Sequence, residues 1–324
     1  MNDEATAAVI DWHAHWIPSK LLEALHARNI AVHRFGQATD IAQRLAMLDA
    51  AGVDGQLLSL PGLFGIDSLP AEQSGDLVHI FNALTQELVA RNPRRFQGLA
   101  SVPLADQDAA CRELEWAMAN GMLGAILPND AFLSLPATSA WSPLMECAND
   151  LGAHLFIHPG PLPAEKRWTY DEPEGIDNKT LRQTGLNTQA RISPSVMTLL
   201  HTDYLAAFPN VTIQIANLGG TYPFVLDRLD TIRVRDGDFD RSGVDMTRIF
   251  FDTASFSRRS IELAAEVFSP RQIIYGTDCP VFDLEIPLKG VRDLSLGESA
   301  IRHILSGNAL YGEGIFGRPA SQAN

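Results

Sequence analysis

Cysteine is scarce in this chain: three residues in 324, Cys111, Cys147 and Cys279, with no CxxC pair among them. That leaves no disulfide framework and no thiolate cluster, and it fits a reducing cytoplasm. Positive charge is also short. Lys and Arg number 25 against 39 Asp and Glu, a formal net charge of −14. Such a balance argues against nucleic acid or an anionic membrane surface as partner, while leaving a small anionic substrate open. No apolar run approaches the ~20 residues that span a bilayer. Met1-Asn2-Asp3-Glu4-Ala5 lacks the basic start of a signal peptide. A glycine-rich phosphate loop and a GxSxG elbow are missing too, which removes support for nucleotide and serine-hydrolase chemistry. The expectation is a cytoplasmic protein acting on a small molecule.

What is present is apolar sequence in short, regular runs. Hydrophobic residues make up 46% of the chain, enough for a large core. Eight strand-like runs occur: 9–15, 56–60, 96–102, 124–128, 154–159, 211–217, 249–254 and 272–278. Several are nearly continuous in Ile, Leu, Val and Phe, as parallel strands covered by helices on both faces require. Helical patterns fall between them, among them 40–51, 72–91, 106–119, 142–151, 194–208 and 257–267, several closed by stop signals such as Gly52, Asn92-Pro93, Gly121 and Pro209. Strand and helix alternating eight times predict one α/β domain over residues 1–324, a distorted (β/α)8 TIM barrel. The polar stretch 160–193 breaks the rhythm and reads as a lid or pocket wall.

Barrel enzymes carry their chemistry at the C-terminal ends of the strands. The first run ends in Asp11-Trp12-His13-Ala14-His15, where strand alternation predicts Asp11, His13 and His15 on one face and Trp12 and Ala14 on the other. The fifth run ends in His158, the sixth in Asn217 and the eighth in Asp278. Three imidazoles and a carboxylate at separate strand ends suit one divalent ion, Zn²⁺ first, with Mn²⁺ or Fe²⁺ as alternatives. Asp11 reads as a buried hydrogen-bonding partner, His154 as a core histidine and Cys279 as a small buried residue. Trp16, Phe64, Trp168 and Arg191 are the candidates for contacting a substrate ring or carboxylate.

Several segments follow one another in a telling order: Asp-Trp-His13-Ala-His15-Trp-Ile-Pro18, Arg95-Phe-Gln-Gly-Leu-Ala-Ser-Val-Pro103, Gly121-Met-Leu-Gly124-Ala, His158-Pro159, Asn217-Leu-Gly-Gly220, Tyr275-Gly-Thr-Asp278-Cys-Pro280 and Ile304-Leu-Ser-Gly-Asn308-Ala. Together they resemble the amidohydrolase superfamily, in the branch of aminocarboxymuconate semialdehyde decarboxylase and the resorcylate-type decarboxylases. The resemblance implies a homodimer and one divalent metal held by His13, His15, His158 and Asp278, the same four residues that the strand ends nominate. It also implies a histidine where this chain has Asn217. An amide exchanges no proton near neutral pH, so the acid–base role of that position is lost. With Asp278 as the remaining proton carrier and Asn217 steadying a substrate oxygen, the expected reaction is hydrolysis. A metal-activated water would attack an amide, ester, lactone or activated C–C bond of a small cyclic or aromatic carboxylate. Non-oxidative decarboxylation of an aromatic or muconate-type acid is the alternative, and a non-catalytic ligand-binding barrel the second.

Overall fold

The computed structural model describes residues 8–30, 40–60, 62–163, 178–236, 245–254 and 256–306. Its eight strands are β1 (Ile10–His15), β2 (Gly55–Ser59), β3 (Phe96–Gly98), β4 (Gly124–Pro128), β5 (His154–His158), β6 (Thr212–Ile215), β7 (Ile249–Asp252) and β8 (Ile273–Ile274). All pairings are parallel, in the order β1-β2-β3 and β4-β5-β6-β7-β8. Backbone hydrogen bonds cross both seams. Trp12 and His15 donate to Tyr275 and Cys279 at 2.9 and 2.7 Å, while Ala100 donates to Gly124 and accepts from Ile126 at 2.8 and 3.0 Å. The parallel bridges Ala14/Cys279 and Ala100/Ala125 lie at the same two places. The eight runs expected from the sequence therefore form the staves of the predicted TIM barrel.

Two layers of apolar packing hold it. A small cluster takes at least one residue from around every strand: Ile10, Trp12, Leu57, Leu99, Ile126, Phe156, Ala216, Phe250 and Ile274. This is the interior of the barrel. The larger cluster fills the space between strands and outer helices. Strands buried on both faces need apolar residues at consecutive positions, which is why these runs read as continuous rather than alternating.

Three local departures have physical causes. The β1/β2 register shifts between Asp11 and Ala14, so strict alternation fails there. Trp12 joins the interior cluster, and the Asp11 carboxylate is taken up by other partners, accepting from Gln56 Nε2 at 2.8 Å, Thr277 Oγ1 at 2.7 Å and the His13 backbone N–H at 3.1 Å. Second, β3 stops at Gly98 although its apolar run continues to Val102. Asn82, on the helix Ala71–Arg91, takes over the backbone of Ser101, accepting from its N–H at 2.9 Å and donating to its carbonyl at 2.8 Å. Third, the expected polar connection 160–193 is helical from Asn178. A single helix, Asn178–Leu200, runs through Pro194, in place of the one expected over 194–208. It packs against the turn Asn129–Phe132 after β4. The rest of the expected lid, residues 164–177 with Trp168, lies outside the described residues. Among the described residues, no helix is long and apolar enough to cross a membrane.

Candidate metal centre

His13 and His15 stand on β1, His158 closes β5, and Asp278 lies four residues past β8. The barrel brings them to one point. One ligand atom from each lies within 4.8 Å of all the others. His13 Nε2 and His15 Nε2 are 3.3 Å apart, and Asp278 Oδ1 is 3.5 and 3.2 Å from them. The His158 ring stands nearly perpendicular to both, with centroids at 5.0 and 4.8 Å. The imidazoles are buried, whereas the Asp278 side chain keeps 18% of its surface exposed and marks the open side. Its backbone is left-handed, with φ +62°.

The opposite edges of the rings fix how they present themselves. His13 Nδ1 meets Asp252 Oδ1 at 3.0 Å, His15 Nδ1 meets Ser59 Oγ at 3.0 Å, and His158 Nδ1 meets the Pro159 carbonyl at 2.9 Å. Asp252 and the carbonyl accept only, so His13 and His158 each place a proton on Nδ1 and face the centre with Nε2. Ser59 donates weakly to the Ala14 carbonyl at 3.4 Å, which leaves its oxygen to accept from His15. Three inward ring nitrogens and a carboxylate oxygen crowded together are a donor set for a divalent cation once His13 Nε2 gives up its proton, with the outer contacts that orient ligating histidines. Gly62 permits the close approach on this side: a Cβ there would stand 2.7 Å from the Pro159 carbonyl oxygen and 3.1 Å from His158 Nδ1.

The electrostatics agree with that reading. Burial lowers His13, but the charge and hydrogen bond of Asp252, joined by Asp278, overcome it and raise the imidazole to about 10. Burial lowers His15, and it lowers His158 further with the help of the two neighbouring imidazoles. Burial acts to raise Asp278, yet hydrogen bonds from His13 and His15 outweigh it and hold the carboxyl well below the usual carboxylate range. Without a cation, a second proton on His13, at Nε2, partly offsets the two carboxylates that flank it.

Asn217 opens a turn after β6 in which Asn217, Leu218, Gly219 and Gly220 all have positive φ. Its backbone N–H donates to Asp252 Oδ1 at 3.1 Å, the same oxygen that holds His13. The side chain is 9% exposed, and its Oδ1 has no hydrogen-bond partner among the described residues. At Gly220 a Cβ would fall 2.1 Å from the Gln189 carbonyl oxygen, so only glycine lets this turn press on the helix Asn178–Leu200.

The other nominated residues fare differently. Trp16 is buried in the large core, its ring 6.4 Å from Phe81. Phe64 lies in the 3₁₀ turn Gly62–Phe64, buried in the same core. Arg191 is engaged by Asp130, its Nε 2.8 Å from Oδ1 and its Nη2 2.5 Å from Oδ2. His154 is the core histidine expected, 3.0 Å from Gln214 Oε1, and burial lowers it to about 4. Cys279 is buried, and burial pushes its thiol up to about 11, which suits no nucleophile. Asp252 was missed at the level of sequence. The strand-end criterion does pick it out, as the carboxylate that closes Ile249-Phe-Phe-Asp252.

Comparison with known proteins gives a consistent result. A family model described as amidohydrolase matches residues 10–311. A 2-amino-3-carboxymuconate-6-semialdehyde decarboxylase of Dictyostelium discoideum is 23% identical over 289 residues, 82% of this chain and 74% of that one. A gamma-resorcylate decarboxylase of Polaromonas sp. strain JS666 is 26% identical over 287 residues, 82% of this chain and 85% of that one. Among solved structures, a dihydroxybenzoic acid decarboxylase from Polaromonas sp. JS666, crystallised with manganese and the inhibitor 2-nitroresorcinol, shares the fold. The TM-score is 0.71 at 20% identity, covering 93% of this chain and 95% of that one. These relatives correct the expectation of hydrolysis: they are decarboxylases. The missing histidine at position 217 removes one proton-exchanging group, but it does not supply a reason for water to be the attacking group.

Proposed function

The chain belongs to the amidohydrolase family, and from that premise we propose that it is a metal-dependent, non-oxidative decarboxylase of a small aromatic or muconate-type acid. The observation that carries this reading is the four-atom donor set at the barrel mouth, in a chain similar to the two decarboxylases named above. His13, His15, His158 and Asp278 would hold one divalent ion. Three nitrogens and one oxygen suit Zn²⁺ and Mn²⁺ alike, and the manganese in a structural relative adds weight to Mn²⁺. When bound, the ion supplies a positive charge that anchors the substrate carboxylate and draws electron density from the neighbouring carbon.

The residues of the chain do the rest. Asn217 offers its open Oδ1 to a substrate hydroxyl and its amide N–H₂ to a substrate oxygen, orienting the ring without exchanging a proton. Asp278, on the exposed side, carries the proton. It takes one from an acidic substrate hydroxyl or from solvent and delivers it to the ring carbon. There the bond to the carboxylate breaks and its electron pair becomes the new C–H bond as carbon dioxide leaves. The buried imidazoles and the apolar Phe156, whose ring is 4.8 Å from that of His13, keep bulk water from the inner side. The same proposal includes a homodimer, which sedimentation would check.

The test is to incubate metal-loaded protein with ortho-hydroxybenzoates and unsaturated dicarboxylic acids in D₂O. Carbon dioxide release with one deuterium at the vacated carbon is expected. Solvent oxygen entering the product without carbon dioxide release would overturn the reading, as would purified protein that takes up no metal.

A further inference from the structure

Every ligating imidazole has an outer partner, but the partners are unequal. His15 leans on a neutral hydroxyl and His158 on a carbonyl, whereas His13 leans on the carboxylate of Asp252. That carboxylate is fully buried at the end of β7. Its Oδ1 accepts from three N–H groups: His13 Nδ1 at 3.0 Å, Asn217 N at 3.1 Å and Ala254 N at 3.2 Å. Its Oδ2 accepts from Gln214 Nε2 at 2.8 Å. The orientation of Gln214 is fixed from both sides, since its Nε2 also donates to the Trp12 carbonyl at 3.1 Å and its Oε1 accepts from His154 Nε2 at 3.0 Å. A directed chain therefore runs through the barrel interior from β5, through β6 and β7, to the first ligand on β1.

We propose that Asp252 is a positioning residue that ties the metal centre to the substrate-side turn, because one oxygen holds both His13 and the backbone of Asn217. The inference rests on the metal-centre reading above and is independent of which reaction follows. Two consequences are built into the geometry. A charged acceptor grips an N–H more firmly than a neutral one and makes the far nitrogen a better donor. The same oxygen also anchors the first of four successive residues with positive φ, two of them, Asn217 and Leu218, not glycine. Left-handed backbone at such residues persists only where surrounding contacts hold it.

The decisive variant is Asp252→Asn, which keeps the shape, removes the charge and sets an amide N–H₂ against Gln214. Mn²⁺ affinity of the metal-free protein, read by competition with a fluorescent chelator, is expected to fall about 10–100-fold; a change within about threefold would overturn the proposal. Ser59→Ala, which removes the neutral partner of His15, serves as the comparison and is expected to cost less. The visible spectrum of the Co²⁺-loaded variant should shift as the first ligand loosens, an effect that a merely structural role would not produce. Amide exchange of the segment containing Asn217 should rise in the same variant. Weakened metal binding with unchanged exchange there would break the link to the turn. Should the variant fail to fold, ¹⁵N-histidine spectra of the unaltered protein decide the matter. Loaded with Zn²⁺, His13 should keep a slowly exchanging proton on Nδ1, and ligation through Nδ1 would refute the proposal. None of these readouts needs turnover, so failure of the decarboxylase reading would leave them interpretable.

Discussion

Metal uptake should release one proton at pH 8, and that proton should come from His13. In the metal-free protein the flanking carboxylates of Asp252 and Asp278 raise His13, against burial, to about 10. The other prospective ligands are already in the form that a metal needs. Burial keeps His15 and His158 below their ordinary value, hence neutral, and the two imidazoles hold Asp278 ionised. Binding must therefore displace one proton from a group about two pH units above the medium, which costs about 3 kcal/mol of metal affinity at pH 8. The sign follows directly. Since the proton must leave for the metal to bind, apparent affinity should rise about tenfold per pH unit from pH 7 towards 10, and level off above.

Calorimetric titration of Zn²⁺ or Mn²⁺ into metal-free protein, in buffers of different ionisation enthalpy, counts the protons. One at pH 8 is expected. None released, or two, would refute the electrostatic account of the site. Asp252→Asn offers an internal check: removing the stronger of the two anionic neighbours should reduce the number released at pH 8.

Two further outcomes follow from the same geometry. His154 is held near 4 by burial, below the unfolded value, so the unfolded chain takes up the proton first and stability is lost as pH falls from 6.5 towards 4. In His154→Gln that loss should be absent, a difference of about 3 kcal/mol between the two proteins across the window, readable by urea melts; parallel pH profiles would refute it. Asn217→His replaces an orienting amide by a group that can exchange a proton; with proton delivery on Asp278, the rate should not rise and the pH profile should gain no limb between about pH 6 and 7. A faster variant with such a limb would refute the assignment of proton delivery to Asp278 alone.

The clustering of the candidate metal ligands was legible because each lies at the end of an apolar run, and a parallel barrel converts strand ends into neighbours. His13, His15, His158 and Asp278 could be nominated together without any knowledge of distance, since topology alone places them at one mouth. What escaped depends on contacts between distant segments. The face of Asp11 could not be read from β1 alone, because the register shift arises from pairing with β2. Arg191 looked available for a substrate carboxylate, yet Asp130, 61 residues away, holds it by three hydrogen bonds. Asp252 carries the strand-end signal too, but nothing in the sequence separates a carboxylate that aims a ligand from one that binds. The reaction was the least legible of all, since a donor set specifies a cation and not the bond to be broken.

That last point bears on Asn217. In a hydrolase of this geometry the attacking water must lose a proton, and a missing imidazole takes away a natural acceptor. In a decarboxylase nothing attacks, and the demand is reversed: a proton must arrive at the ring carbon as the carboxylate leaves. One carboxyl group that shuttles between an acidic substrate and the ring suffices for that, and Asp278 stands on the open side of the centre with both roles within reach. A residue at position 217 then needs only to hold the ring still. A buried amide with an unpartnered oxygen, fixed through its backbone to the carboxylate that aims His13, meets that need. Under the proposed decarboxylation, the departure at position 217 reads as a division of labour, with orientation placed after β6 and proton delivery after β8.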